Sequence, residues 1–171
     1  MTLAAFDSAL KDFMVIDKYL LLHNISERSI THKLAEHLRP KFSNFEVDCE
    51  YNGDVEGAHP FRKKLFITEA EMIEIARQKI REDETYSVYP DIIVHSRGDN
   101  TNNHLLIEVK KENGNVRDKA FDILKLKGFT DQYKYRIGIY LEIRTGKDIA
   151  ISEMRYFQNG NEKTRENLNE I

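Results

Sequence analysis

An α/β fold with helices on both faces of a mixed β-sheet is the class this sequence predicts, and three observations carry it. Residues 89–111 hold two apolar runs of strand length around 96–103, a turn rich in Gly, Asn and Asp, which is the pattern of a β-hairpin. Residues 3–22, 27–38 and 117–133 carry apolar groups three and four apart, the period of amphipathic helices. A further apolar run, 136–143, follows the last of these helices, so the chain can cross over to a parallel neighbour. The resulting order is an αβββαβ core. Its central strands are apolar throughout, as a sheet covered on both faces requires.

A length of 171 residues suits one domain with a sizeable core. We assign residues 1–157 to that domain, with 52–86 as a helical insertion and 158–171 as a polar C-terminal tail expected to fray. Hydrophobic content is 40% and charged content 32%, ordinary for a soluble globular chain. No run is long enough to span a membrane, and Asp7, Lys11 and Asp12 interrupt any basic-then-apolar leader. The single Cys49 allows neither an internal disulfide nor a cysteine zinc cluster, so a cytoplasmic location is expected. A net charge of −3 excludes a protein that is basic all over; any nucleic-acid footprint must be a local basic face.

Taken in order, the first helix places Leu3, Phe6, Leu10, Phe13 and Met14 on a face that packs into a core. Ser26 is a suitable N-cap for the second, and Pro40 ends it. At 100° per residue, Ile30, Thr31, Leu34 and Leu38 share one face of that helix, and Glu27 heads it; Ser29, His32, Lys33 and Glu36 face away. Glu27 has two readings: a first-turn acid that complements the helix dipole, or an acid reaching the sheet. Residues 45–51 alternate, with Phe45, Val47, Cys49 and Tyr51 on one face and Glu46, Asp48 and Glu50 on the other, as in a half-buried strand. Glu50 is an acid near that strand's end, and one of three on a solvated face. Residues 52–60 read as a loop. Arg62, Lys63 and Lys64 form the densest basic cluster, which faces phosphates or plain solvent. Thr68 and Glu71 form a capping box that opens a helix carrying Met72, Ile73, Ile75, Ala76 and Ile80. The insertion's role is open between substrate choice and homodimer formation.

The chemistry gathers on the hairpin. Asp91 heads the first strand, and Glu108 and Lys110 share one face of the second, opposite Leu105, Ile107 and Val109. Two carboxylates brought together in an apolar setting repel, and burial makes their charged forms costlier still. A divalent cation resolves both difficulties, because Mg²⁺ prefers hard oxygen ligands. No glycine-rich phosphate loop, no Gly-x-Ser-x-Gly and no two-histidine zinc pattern competes with this reading.

Pro90-Asp91, followed after sixteen residues by Glu108-Val109-Lys110, resembles the signature of the PD-(D/E)XK nuclease superfamily. The resemblance spans roughly residues 27–143. It implies a restriction-endonuclease-like fold, with Asp91, Glu108 and the backbone carbonyl of Val109 holding Mg²⁺ or Mn²⁺. It further implies that Lys110 positions or deprotonates the attacking water, its pKa lowered by the neighbouring cation, and that Glu27 is a first-helix acid of the site. The implied activity is hydrolysis of phosphodiester bonds in nucleic acid, with DNA favoured over RNA by analogy. The competing expectation is a catalytically inactive nucleic-acid-binding or assembly module of the same fold.

Overall fold

The computed structural model describes residues 2–56, 59–68, 71 and 85–169. Its centre is a six-stranded mixed sheet in the order β1-β6-β7-β8-β9-β10. The strands are β1 Glu46–Cys49, β6 Ile92–His95, β7 Leu105–Lys111, β8 Ile137–Arg144, β9 Ala150–Gln158 and β10 Asn161–Lys163, and the strands numbered between β1 and β6 are described below. The hairpin forms as expected, with Ile92 opposite Ile107 and Val94 opposite Leu105 in antiparallel register. β7 and β8 pair in parallel from Leu105↔Ile137 to Lys111↔Ile143, and every other neighbouring pair of this sheet is antiparallel. The crossover between them is α4, Val116–Gln132, capped by Asn115, whose side chain accepts the Arg117 N–H.

Two apolar layers sandwich the sheet. On one face, α1 (Thr2–Ile16) and α3 (Glu27–Leu38) press Phe6, Phe13 and Leu34 against Val94, Ile107 and Ile139. On the other, α4 presses Leu126 and Phe129 against Ile93, Leu106 and Tyr140. Each such fully buried side chain contributes about 1.5–3 kcal/mol. The alternation within β7 decides the rest: Leu105, Ile107 and Val109 join the first layer, while Glu108 and Lys110 fall on the α4 side with Leu106. The helix expected over 3–22 is broken at Asp17, and a short α2, Lys18–Leu22, follows. α3 starts where Ser26 predicts, the Ser26 hydroxyl accepting the Ser29 N–H.

Four expectations need correction. Tyr51 leaves the face of Phe45, Val47 and Cys49 and packs in the opposite layer, because Glu50 adopts a left-handed φ of 50° that ends the alternation. Residues 52–60 are not simply a loop: β2 (Gly53–Glu56) pairs with β3 (His59–Arg62). A second small sheet joins β4 (Lys64–Phe66) to β5 (Thr85–Ser87), so the insertion is partly β. Lys63 is neither solvent-facing nor free to meet phosphate; it is buried, with its ammonium 3.0 Å from the Tyr135 hydroxyl. The segment expected to fray contains β10, and Arg165 within it ion-pairs with Asp7 of α1. The Thr68–Glu71 capping box is formed, the Glu71 carboxylate accepting the Thr68 N–H at 2.9 Å; the helix expected after it, 72–84, lies outside the described residues. Among the described residues, no helix is long and apolar enough to cross a membrane.

Candidate active site

Extending the β6–β7 register by one pair puts Asp91 opposite Glu108, so the hairpin brings the two acids to neighbouring positions. Asp91 lies just before β6, and its Oδ2 accepts the backbone N–H of Val109 at 2.8 Å. Glu108 is fully buried; its Oε2 accepts from the Lys125 ammonium at 2.7 Å, and its Oε1 has no hydrogen-bond partner. Burial pushes the Asp91 carboxyl above its ordinary value, with Lys125 and the Val109 N–H pulling it partly back. Burial pushes Glu108 further up, and Asp91 and Asp122 add to the rise while Lys125 opposes it.

Lys110 ties the two helical layers to the sheet. Its ammonium lies 2.9 Å from Glu27 of α3 and 3.0 Å from Asp122 of α4. Glu27 uses its other oxygen to accept the Lys111 N–H at 3.0 Å. Glu27 therefore does turn toward the sheet, as the helical wheel predicts, and what it meets is Lys110. Burial works against the charge of Lys110, yet Asp122, Glu27 and Asp91 outweigh it and raise its pKa. With these carboxylates around it, Lys110 stands as an ammonium, a hydrogen-bond donor. Lys111 points away, its Nζ 3.4 Å from the carbonyls of Asn24 and Ile25.

Asp122 and Lys125 are the residues that sequence reasoning missed. They stand three apart on the buried face of α4, with Lys125 Nζ 2.7 Å from Asp122 Oδ1. Burial again opposes the charge on Lys125, and Glu108, Asp122 and Asp91 raise its pKa regardless. The signal was there to find: Asp122, Lys125, Leu126 and Phe129 keep step with one helical face, so two of the charges ride with the apolar groups. Glu50 stays out of the cluster, pairing on the surface with Arg28 at 2.9 Å. Burial raises the Cys49 thiol pKa to about 11, which disfavours its thiolate.

A cleft of about 760 Å³ opens beside the acids, lined by Glu27, Arg28, Thr31, Cys49, Glu50 and Asp91 among others. It offers a route from solvent to Asp91. Among the described residues, no three His, Cys, Asp or Glu side chains converge as a ready-made metal cage. Two carboxylates suffice for Mg²⁺, which commonly takes one or two protein acids and completes its shell with water and phosphate. The orphaned Glu108 Oε1 fits that role: it is a buried carboxyl oxygen lacking the partner that such an atom requires. Comparisons of the chain with protein-family models, with curated proteins and with solved structures each return no match.

Proposed function

We propose that this chain is a metal-dependent nuclease of the PD-(D/E)XK type that hydrolyses phosphodiester bonds, with DNA as the favoured substrate. One observation carries the reading. Asp91, Glu108, Asp122 and Glu27 set four carboxylates against the two ammoniums of Lys110 and Lys125, and a buried oxygen of Glu108 is left without a partner. With all six groups ionised, the excess is two negative charges, which is the charge of one divalent cation. The order α3, β1, β6, β7, α4, β8, with its parallel last step, supports the same family likeness.

Asp91 and Glu108 are the residues that would hold Mg²⁺ or Mn²⁺, with the Val109 carbonyl as the further ligand the likeness implies. A bound cation would activate a water and neutralise the phosphate. The chain's own groups supply the rest. The Val109 N–H fixes the orientation of the Asp91 carboxylate. Glu27 and Asp122 hold the Lys110 ammonium from two sides, so its positive charge is in place before substrate arrives. Lys110 then acts by donating hydrogen bonds to phosphate oxygen or to the attacking water.

The second reading is a non-catalytic nucleic-acid-binding or assembly module. It is favoured by Lys125, whose ammonium already neutralises part of Glu108. Incubation with supercoiled plasmid, linear and branched DNA, and RNA, in Mg²⁺, in Mn²⁺ and in chelator, separates the two. Cleavage that needs metal and is lost in Asp91→Asn supports the nuclease; intact substrates under every condition select the module.

A further inference from the structure

Lys125 occupies an unusual place for a lysine. Its side chain is 9% exposed, and its ammonium lies 2.7 Å from Glu108 Oε2 and 2.7 Å from Asp122 Oδ1. The carbonyl of Tyr89 is 3.4 Å away, two residues before Asp91. Two carboxylates and a carbonyl make an environment of hard oxygens, the kind a divalent cation prefers. Beside it lies the partnerless Oε1 of the fully buried Glu108. One oxygen of this carboxylate is thus served by an ammonium while the other is left unserved, a costly state for a buried anion. A divalent cation bound to the same carboxylate and the ammonium of Lys125 would be like charges at close range, in a region from which water is largely excluded.

We propose that Lys125 is a resident counter-ion: it holds the cation's place in the metal-free chain and is displaced from Glu108 when the metal binds. Asp122 keeps the displaced ammonium, because the two residues stand three apart on α4 and pair at 2.7 Å within that one helix. Lys125 thereby sets the metal affinity of the site without being a ligand. The inference rests on Asp91 and Glu108 being the metal-binding acids, and its test keeps the two ideas apart.

The test is calorimetric titration with Mn²⁺ alone of the wild-type chain, Lys125→Met and Lys125→Arg. Lys125→Met removes the competing charge at similar length and should bind Mn²⁺ more tightly, on the order of 10–100-fold, the scale on which groups around metal ligands act. Lys125→Arg keeps the charge and should stay near wild type. In the wild-type chain, the ¹⁵N-coupled ammonium signal of Lys125 should shift as Mg²⁺ saturates the site. Unchanged or weaker affinity in Lys125→Met, with wild type binding normally, overturns the counter-ion role and leaves the metal site standing. No binding by either chain overturns both. Binding by Lys125→Met alone upholds the counter-ion role and removes the nuclease reading, since the natural chain would then be closed to metal. Should Lys125→Met fail to fold, the wild-type ammonium signal decides, and a signal unmoved at saturating Mg²⁺ overturns the proposal.

Discussion

Replacing Lys110 with Met tests whether the charge cluster is a coupled unit. Lys110 is 14% exposed and bridges Asp122, 5% exposed, to Glu27, 34% exposed. Its removal leaves Asp122 with Lys125 alone, in a pocket already rich in carboxylates. Breaking a buried pair by deleting one partner costs about 3–5 kcal/mol. Glu27 can turn to water, so the loss should sit near the lower end, about 3 kcal/mol. For a chain of this length that lowers Tm by roughly 6–12 °C. The neighbouring Lys111 offers an internal control. Its ammonium makes two contacts of 3.4 Å to backbone carbonyls, long for N–H···O bonds. Lys111→Met should therefore cost about 0.5 kcal/mol, a Tm change of roughly 1–2 °C. Urea denaturation in chelator gives both energies, and a cycle with Asp122→Asn isolates the coupling. The double variant Lys110→Met/Asp122→Asn should lose about 1 kcal/mol less than the sum of the single losses. Equal losses for the two lysines, or additivity within about 0.5 kcal/mol, would refute the picture of a coupled buried cluster.

Two further predictions concern pH and catalysis. Asp91 and Glu108 hold their protons more tightly in the folded chain than in the unfolded one, chiefly through burial. Metal-free stability therefore falls as pH rises above the unfolded values, about 3.9 for Asp and 4.3 for Glu, and keeps falling until the folded groups have ionised. Asp91→Asn should flatten that slope, as read from urea midpoints across the range; an undiminished slope would show that Asp91 is not a cause of it. In cleavage assays, Glu27→Gln should cut the rate strongly, because the amide no longer carries the charge that holds Lys110. Glu50→Gln, which disturbs only a surface pair with Arg28, should leave the rate near wild type. Full activity in Glu27→Gln with a small stability loss would confine Glu27 to its place in the first turn of α3.

What was legible in the sequence follows from what periodicity can register. The hairpin, α3 with Glu27 at its head, and the α4 crossover are set by local spacing of apolar groups, and they formed where that spacing puts them. The Asp91, Glu108 and Lys110 neighbourhood was legible for the same reason, since strand alternation alone assigns their faces. Asp122 and Lys125 were not, because a count of apolar positions treats a buried charge as a gap in the pattern. Their burial depends on each other and on Glu108, which is tertiary information. Tyr51 was misplaced because a left-handed Glu50 has no residue signature; glycine would have announced it. Lys63 reads as a surface cation by type, and only the fold brings Tyr135, 72 positions away, to its ammonium. The direction of the Lys110 pKa was likewise set by Glu27 and Asp122, which come from two different helices.

The bond from the Val109 N–H to Asp91 has a consequence for folding itself. β6 begins at Ile92, so the Asp91 side chain takes up a β7 amide at the point where the ladder gives out. Strand pairing can slip by one residue only by turning every side chain over to the opposite face. Slippage of β7 would turn Glu108 and Lys110 toward the layer packed by Phe6, Phe13 and Leu34, taking both away from Asp122 and Lys125 of α4 and burying Glu108 against hydrocarbon. It would also strand the Asp91 carboxylate without its amide. The charged residues thus act as a key for the hairpin: the alignment that assembles the acids is the alignment in which they can be buried at all.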